Sequence, residues 1–370
     1  MKRVLVIFGT RPEAIKLAPV ILALRNNSHF SVRTCATAQH RELLDQVLKV
    51  FRIAPDFDLN LMRPGQTLAQ SASAMMAALE PVLREESPDM VLVQGDTTTT
   101  LCGALAAFYH RIRVGHVEAG LRTGDLSQPF PEEMNRVVAS RLAEVHFAAT
   151  PWAAGNLHRE GINPTRVHVT GNSGIDAVLY VKAALEKGDL QPAAWPAWPA
   201  YQKLIVVTAH RRESFGKGFE RICTALACLA ARQDVQIVLP VHPNPNVREP
   251  IARHLASLKQ VTLVDPLEYV QFVDLMRRAY ILITDSGGIQ EEGPSLGKPV
   301  LVLRDKTERP EAIEAGTVKL VGTDPERIVR EAAVLLDDDD EYQRRSHVHN
   351  PYGDGQAARR IAGIIRQLLV

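Results

Sequence analysis

Two doubly wound α/β domains, each on a parallel sheet, are what this 370-residue chain predicts. Three observations carry that. Short β-branched runs alternate with longer helical patterns. A proline-rich segment interrupts the alternation near the middle. Both halves open alike, with a strand, a polar turn and then a helix. Short continuous apolar strands between helices mark parallel sheets covered on both faces.

In order, the strand runs are Val4–Phe8, Ser31–Thr37, Met90–Gln94, Val114–Val117, Val145–Ala149 and Val167–Thr170. They resume at Leu204–Thr208, Val235–Val241, Val261–Val264, Tyr280–Thr284, Val300–Leu303 and Thr317–Val321. Between the sets, residues 191–200 hold Pro192, Pro196 and Pro199, which exclude helix and strand interiors. The expected division is therefore residues 1–190, a linker at 191–202, and residues 203–354. The helical pattern at 355–370 is expected to return to the first domain. Two such domains facing a cleft would bring their strand ends together.

Lys and Arg total 43 against 42 Asp and Glu, so nothing general favours nucleic acid or an anionic membrane as partner. Anion recognition must be local. Cys35, Cys102, Cys223 and Cys228 form no metal-ligand spacing and read as reduced residues of a cytoplasmic protein. Lys2-Arg3 precedes an apolar run that Gly9 ends, too short for a signal peptide or a membrane span.

The unusual polar residues cluster at strand ends, where ligands of open parallel sheets bind. After the first strand come Gly9-Thr10-Arg11-Pro12-Glu13; Arg11 and Lys16 can reach an anion, or are solvated cations. Gly95-Asp96 precedes four threonines, and Asp96 reads either as a functional carboxylate or as a helix N-cap. Glu118 ends the strand at Val114. Glu132 and Glu133 start a proline-led helix, where dipole complementarity accounts well for Glu133; Glu132 is the better functional candidate only because the other acids converge nearby. In the second half, His210 is a phosphate contact, an acid/base group or a packed histidine, and His242 ends the next strand. Asp285-Ser286-Gly287-Gly288-Ile289-Gln290-Glu291-Glu292 joins a strand to a helix. Its glycines allow close backbone approach and the helix start favours an anion, so it reads as a nucleotide-diphosphate cradle or as an ordinary turn. Arg309 follows a later strand. P-loop and GxGxxG signatures are absent. Acids on one half and a diphosphate cradle on the other suit chemistry on the sugar of a nucleotide sugar.

The motifs Gly9–Glu13, Gln39-His40-Arg41, Gly95–Thr100, His116–Arg122, Gly171-Asn172, His210–Glu213, Asp285–Glu292, Thr307–Glu311 and Asn350–Gly355 together resemble the non-hydrolysing UDP-N-acetylglucosamine 2-epimerases over nearly the whole chain. The resemblance implies two Rossmann-like domains in a GT-B-like arrangement, usually as a homodimer. It implies interconversion of UDP-GlcNAc and UDP-ManNAc without added cofactor or metal, through elimination of UDP to 2-acetamidoglucal and re-addition. It implies Asp96, Glu118 and Glu132 as acid/base groups and His210, also among the catalytic residues, as a UDP contact and charge stabiliser. Arg11, Lys16, Phe272, Ser286, Gly287, Gly288, Glu292 and Arg309 fall at substrate-binding positions. Leu267 departs from the glutamine of close relatives. Gln39, Gln46, Arg63 and His242 match positions compatible with a second, activating UDP-GlcNAc site. The competing readings are a glycosyltransferase using a UDP-sugar donor and a nucleotide-sugar sensor.

Overall fold

The computed structural model describes residues 1–37, 41–63, 65–199, 202–307 and 309–370, without the side chains of 41–43. The chain forms two compact units, Met1–Ala177 with Tyr352–Val370, and Val178–Pro351.

The first unit runs β1 (Lys2–Phe8), α1 (Arg11–Arg25), β2 (Phe30–Ala36), α2 (Arg41–Val50), β3 (Phe57–Asp58), α3 (Leu68–Glu86), β4 (Met90–Gln94), α4 (Thr98–Tyr109), β5 (Arg113–Ala119), α5 (Glu132–Leu142), β6 (Val145–Ala148), α6 (Pro151–Arg159), β7 (Val167–Val169) and the start of α7 (Ser173–Lys187). Its sheet has the order β3-β2-β1-β4-β5-β6-β7, every pairing parallel. Leu5, Ile7, Val91 and Val93 pack one face against Met75 and Leu79 of α3. The strands read as continuous apolar runs because helices cover both faces. β3 went unread in the sequence: it is two residues at the sheet edge, paired with Cys35 and Ala36.

The second unit runs β8 (Lys203–Thr208), α8 (Lys217–Ala230), β9 (Val235–Pro240), α9 (Pro245–Leu255), β10 (Val261–Val264), α10 (Tyr269–Arg278), β11 (Ile281–Thr284), α11 (Gly287–Ser295), β12 (Val300–Val302), α12 (Pro310–Glu314), β13 (Val318–Leu320), α13 (Pro325–Asp337) and α14 (Asp339–Ser346). Its sheet order is β10-β9-β8-β11-β12-β13, also parallel throughout. Ile205, Ile237, Ile281 and Leu301 form the core with Phe219 and Leu226 of α8. In each sheet the winding reverses beside the first strand, between β1 and β4 and between β8 and β11. Such a reversal leaves a crevice at the carboxyl ends of the two central strands.

The sequence placed the domain boundary at 191–202, but the compact units divide inside α7. The proline-rich segment instead lies along α10. Trp195 Nε1 donates to Asp274 Oδ2 at 2.8 Å and Gln271 Nε2 to Ala193 O at 3.1 Å. The last helix, α15 (Ala357–Leu369), belongs to the first unit. Its opening N–H groups, those of Ala357 and Ala358, donate to the Asp176 carboxylate, the usual demand of a helix start. Among the described residues no helix is long and apolar enough to cross a membrane.

His116 on β5 and His146 on β6 are register partners, and both are fully buried. Neither ring nitrogen of His146, nor His116 Nδ1, has a hydrogen bond among the described residues. Burial lowers His146 to about 3, with nearby cationic groups adding to it. Burial likewise lowers His116 to about 4 against the opposing hydrogen bond to Gly95 O. An unfolded histidine binds its proton near pH ~6.5. Between that pH and the folded values the unfolded chain holds more protons, so stability rises with pH and is lost on acidification. We expect the melting temperature to fall as pH drops from about 6.5 to 4, and His146→Leu to flatten that slope. An unchanged slope in the variant would remove His146 as a source.

Candidate functional site

In the first unit the crevice between β1 and β4 is organised by a buried carboxylate, Glu13 of α1. Its Oε2 accepts from Gly9 N at 3.0 Å, Thr10 N at 2.8 Å and Thr10 Oγ1 at 2.8 Å. Its Oε1 accepts from Thr97 Oγ1 at 2.7 Å and Thr100 Oγ1 at 3.3 Å. The turns after β1 and β4 are thus tied to one group. Burial raises the Glu13 pKa, and those donors oppose it. Gly9 has no room for a side chain, since a Cβ would sit 2.2 Å from Thr37 Oγ1 and 2.4 Å from Thr99 Oγ1.

Asp96 follows Gly95, whose φ is +75°. The sequence left open whether Asp96 caps α4; the cap is Thr97, which accepts from Thr100 N. Asp96 is therefore released from that duty. Its carboxylate lies 2.8 Å from Arg136 Nη2, and its carbonyl accepts from Asn135 Nδ2 at 2.9 Å. His116 Nε2 donates to Gly95 O at 2.8 Å, the neutral ring being the donor its lowered pKa requires.

Glu118 sits at a break in the β5–β6 register, between Val117 and Ala119. Its φ is +60°, a left-handed conformation that costs a residue with a Cβ about 1–3 kcal/mol. Bulges commonly re-aim a side chain beside a site. Here the carboxylate meets Lys16 Nζ through Oε1 and Gln94 Nε2 through Oε2. It is only 7% exposed, and the Lys16 side chain 19%. Glu132 opens α5 and lines a cavity of about 580 Å³ with Thr10, Thr97 and Arg63. Glu133 Oε1 accepts from Thr123 N and Gly124 N at 3.0 Å each and braces a loop, while its Oε2 lies 3.4 Å from Nη1 of Arg136, the residue that holds Asp96. Arg11 is the first residue of α1, and Gln46 lies half-buried on α2. Gln39 falls outside the described residues.

In the second unit, His210 follows β8 and Ser286–Gly288 follow β11, the two strands flanking the reversal. Asp285 is fully buried, and its Oδ2 accepts from His210 N at 2.6 Å and Arg211 N at 2.7 Å. Ser286 is the N-cap residue of α11 but makes no side-chain capping bond. A Cβ at Gly287 would lie 2.6–2.8 Å from the Arg309 guanidinium. Arg309 therefore covers the start of α11, where unpaired N–H groups and the helix dipole already favour an anion. Its Nε donates to buried Glu291 at 2.6 Å. Glu292 lies one turn in, its Oε1 3.9 Å from where a Gly288 Cβ would be. Phe272 is half-buried on α10, and His242 stacks on His210 with ring centroids 5.7 Å apart.

Four groups carried no role in the sequence reading: Glu13, Asn135 and Arg136, which organise the cluster of the first unit, and Asp285, which organises that of the second. Among the described residues no group of three or more His, Cys, Asp or Glu is arranged to hold a metal ion.

Glu13→Gln turns an amide N–H toward donors it cannot accept from, and we expect a loss of about 2–3 kcal/mol in urea unfolding. A loss below half a kcal/mol would show the clamp to be dispensable. Gly287→Ala needs only a movement of the Arg309 side chain, so the protein should fold normally. Its affinity for a nucleoside diphosphate should fall about tenfold, or ~1.4 kcal/mol; calorimetric titration giving wild-type affinity would remove Arg309 from the cradle.

The family model described as UDP-N-acetylglucosamine 2-epimerase matches residues 22–366. The UDP-N-acetylglucosamine 2-epimerase of Escherichia coli (strain K12) is 58% identical over 97% of each chain. The UDP-GlcNAc 2-epimerase of Neisseria meningitidis, solved bound to UDP-GlcNAc, is 48% identical with a TM-score of 0.91, over 99% of this chain and 100% of that one. That of Methanocaldococcus jannaschii, solved with UDP-GlcNAc and UDP, is 32% identical with a TM-score of 0.78 over 99% and 100%. The sheets, the strand-end motifs and these likenesses agree: the chain belongs to the UDP-N-acetylglucosamine 2-epimerase family.

Proposed function

We propose that this chain reversibly converts UDP-N-acetylglucosamine to UDP-N-acetylmannosamine by eliminating UDP and adding it back. In the forward step a carboxylate takes the proton from C2. The C2–H electron pair becomes the C1=C2 bond of 2-acetamidoglucal, and the C1–O pair leaves with UDP. Re-addition reverses these events with the proton delivered to the opposite face of C2. Oxidation level is unchanged at the end, so no redox cofactor is called for. The C2 hydrogen is weakly acidic, and its removal must be coupled to stabilised departure of the diphosphate.

The observation that carries this reading is Glu118, a buried carboxylate held in a strained backbone bulge against Lys16. Such strain persists where function requires it. Two faces of C2 need proton access, which gives roles to Asp96 and Glu132 as well. In this reading Arg11 and Lys16 bind the nucleotide sugar, Ser286, Gly287, Gly288 and Arg309 hold the diphosphate, Glu292 holds the ribose, Phe272 meets the uracil, and His210 contacts UDP. The same reading makes the enzyme a cytoplasmic homodimer that supplies ManNAc units for cell-surface polysaccharide. It also gives Gln46, Arg63 and His242, with Gln39, an activating UDP-GlcNAc site.

NMR of UDP-GlcNAc turnover in deuterated water tests the mechanism. UDP-ManNAc should carry deuterium at C2; unlabelled product overturns elimination and re-addition. Consumption of UDP-GlcNAc only when an acceptor is added would mark a glycosyltransferase instead. Asp96→Asn and Glu118→Gln should each lower kcat by about 10²-fold or more, and near-normal turnover in either variant strikes that residue from the mechanism.

A further inference from the structure

Asp285 ends β11 one residue before the phosphate-suited turn, and it also touches the histidine that follows β8. Its Oδ2 is taken by the backbone N–H groups of His210 and Arg211, at 2.6 and 2.7 Å. Its Oδ1 lies 3.2 Å from His210 Nδ1 and has no aligned hydrogen bond among the described residues. Burial alone would raise the pKa of this carboxyl; the His210 and Arg211 contacts outweigh it and lower it. An ionised, fully buried oxygen next to an imidazole nitrogen demands a proton on that nitrogen.

The other ring beside His210 takes a different state. His242 stacks on it with an interplanar angle of 14°. His242 Nδ1 accepts the N–H of Asn244 at 3.2 Å, so that nitrogen carries no proton. Burial, and then the neighbouring His210, lower its pKa, with Asp285 opposing. His210 is therefore held between a carboxylate and a neutral ring, and its side chain remains 43% exposed.

We propose that Asp285 is the positioning residue of His210. It fixes the proton on Nδ1, so that Nε2 is the nitrogen left to take a second proton from solvent, and the imidazolium so formed, balanced by the Asp285 carboxylate, donates through Nε2–H to the diphosphate. A neutral imidazole has one donor and one acceptor nitrogen, and the partner of one nitrogen decides the state of the other. The arrangement is rigid because the same carboxylate grips the backbone of the residue it orients. It also joins the His210 ring to Ser286–Gly288 through the chain, so the ring and the cradle move together. The competing account is that Asp285 only closes the turn after β8. Asp285→Asn separates the two, because an amide oxygen can still accept both N–H groups while no carboxylate faces Nδ1.

The proposal deepens the epimerase reading and rests on it for the contact between His210 and the diphosphate; the tautomer does not depend on it. Long-range ¹H–¹⁵N spectra of histidine-labelled protein without ligand read the tautomer. In the native chain the neutral His210 ring should carry its proton on Nδ1. In Asp285→Asn it should shift toward the Nε2–H form. With UDP-GlcNAc that variant should lose about tenfold or more in kcat with KM changed less than about threefold. A native His210 protonated on Nε2 overturns the proposal, as does a variant with wild-type tautomer and kcat. Should Asp285→Asn fail to fold, the native spectrum decides alone. A native Nδ1–H form in a chain that leaves UDP-GlcNAc unchanged supports the positioning role and counts against the proposed function.

Discussion

A buried carboxylate at each winding reversal is the constraint on which the polar cluster of each unit depends. Reversal leaves backbone N–H groups at the ends of the first strand with no strand or helix partner, and such donors cannot stay buried and unpaired. In the first unit Glu13 takes those of Gly9 and Thr10; in the second Asp285 takes those of His210 and Arg211. One acid comes from the first helix and the other from the end of the fourth strand, yet they meet the same need. Each also reaches a second element, Glu13 the threonines after β4 and Asp285 the ring of His210.

With the turns held, the first unit can afford strain nearby. Glu118 keeps a left-handed backbone inside a strand whose preceding residues, Arg113 to Val117, pair in register with β4, and Gly95 N donates to Val117 O at 3.0 Å. Asp96 is freed by Thr97 acting as cap and is held by Asn135 and Arg136 of α5. The four-threonine run resolves into separate tasks. Thr97 caps, Thr99 meets Thr37 at 2.9 Å, and Thr100 binds Gln94 O at 2.6 Å. In the second unit the anion-favouring start of α11 is reinforced by Arg309, which a side chain at Gly287 would displace. Local fields of this kind fit a chain whose net charge is only +1.

Most of the fold was legible because its strands are covered on both faces and therefore read as unbroken apolar runs. β3 escaped because two edge residues, Phe57 and Asp58, form no run. The boundary was misplaced because proline density signals the absence of helix and strand rather than the absence of packing. Trp195 donates to Asp274, which Arg277 and Arg278 also hold, and this anchors that segment to α10. The candidate residues legible in the sequence are those at or just past a strand's carboxyl end, as Asp96, Glu118, His210 and Ser286 are. Arg136 and Asn135 carried no such signal, since their importance lies in reaching Asp96 some forty residues earlier in the chain.

By itself the sequence determined two parallel-sheet domains, the strand ends where the unusual polar residues gather, and the family through its motifs. These follow from local order: apolar period, glycine position and residue type at a turn. Only the tertiary structure decided which polar groups brace a turn and which face a cation or a cavity. Glu13 is held by backbone and threonine donors and Glu133 by backbone donors and Arg136, whereas Glu118 faces Lys16 and Glu132 lines a cavity. An acid's role depends on the donors and the burial around it, and those come from strands and helices distant in sequence.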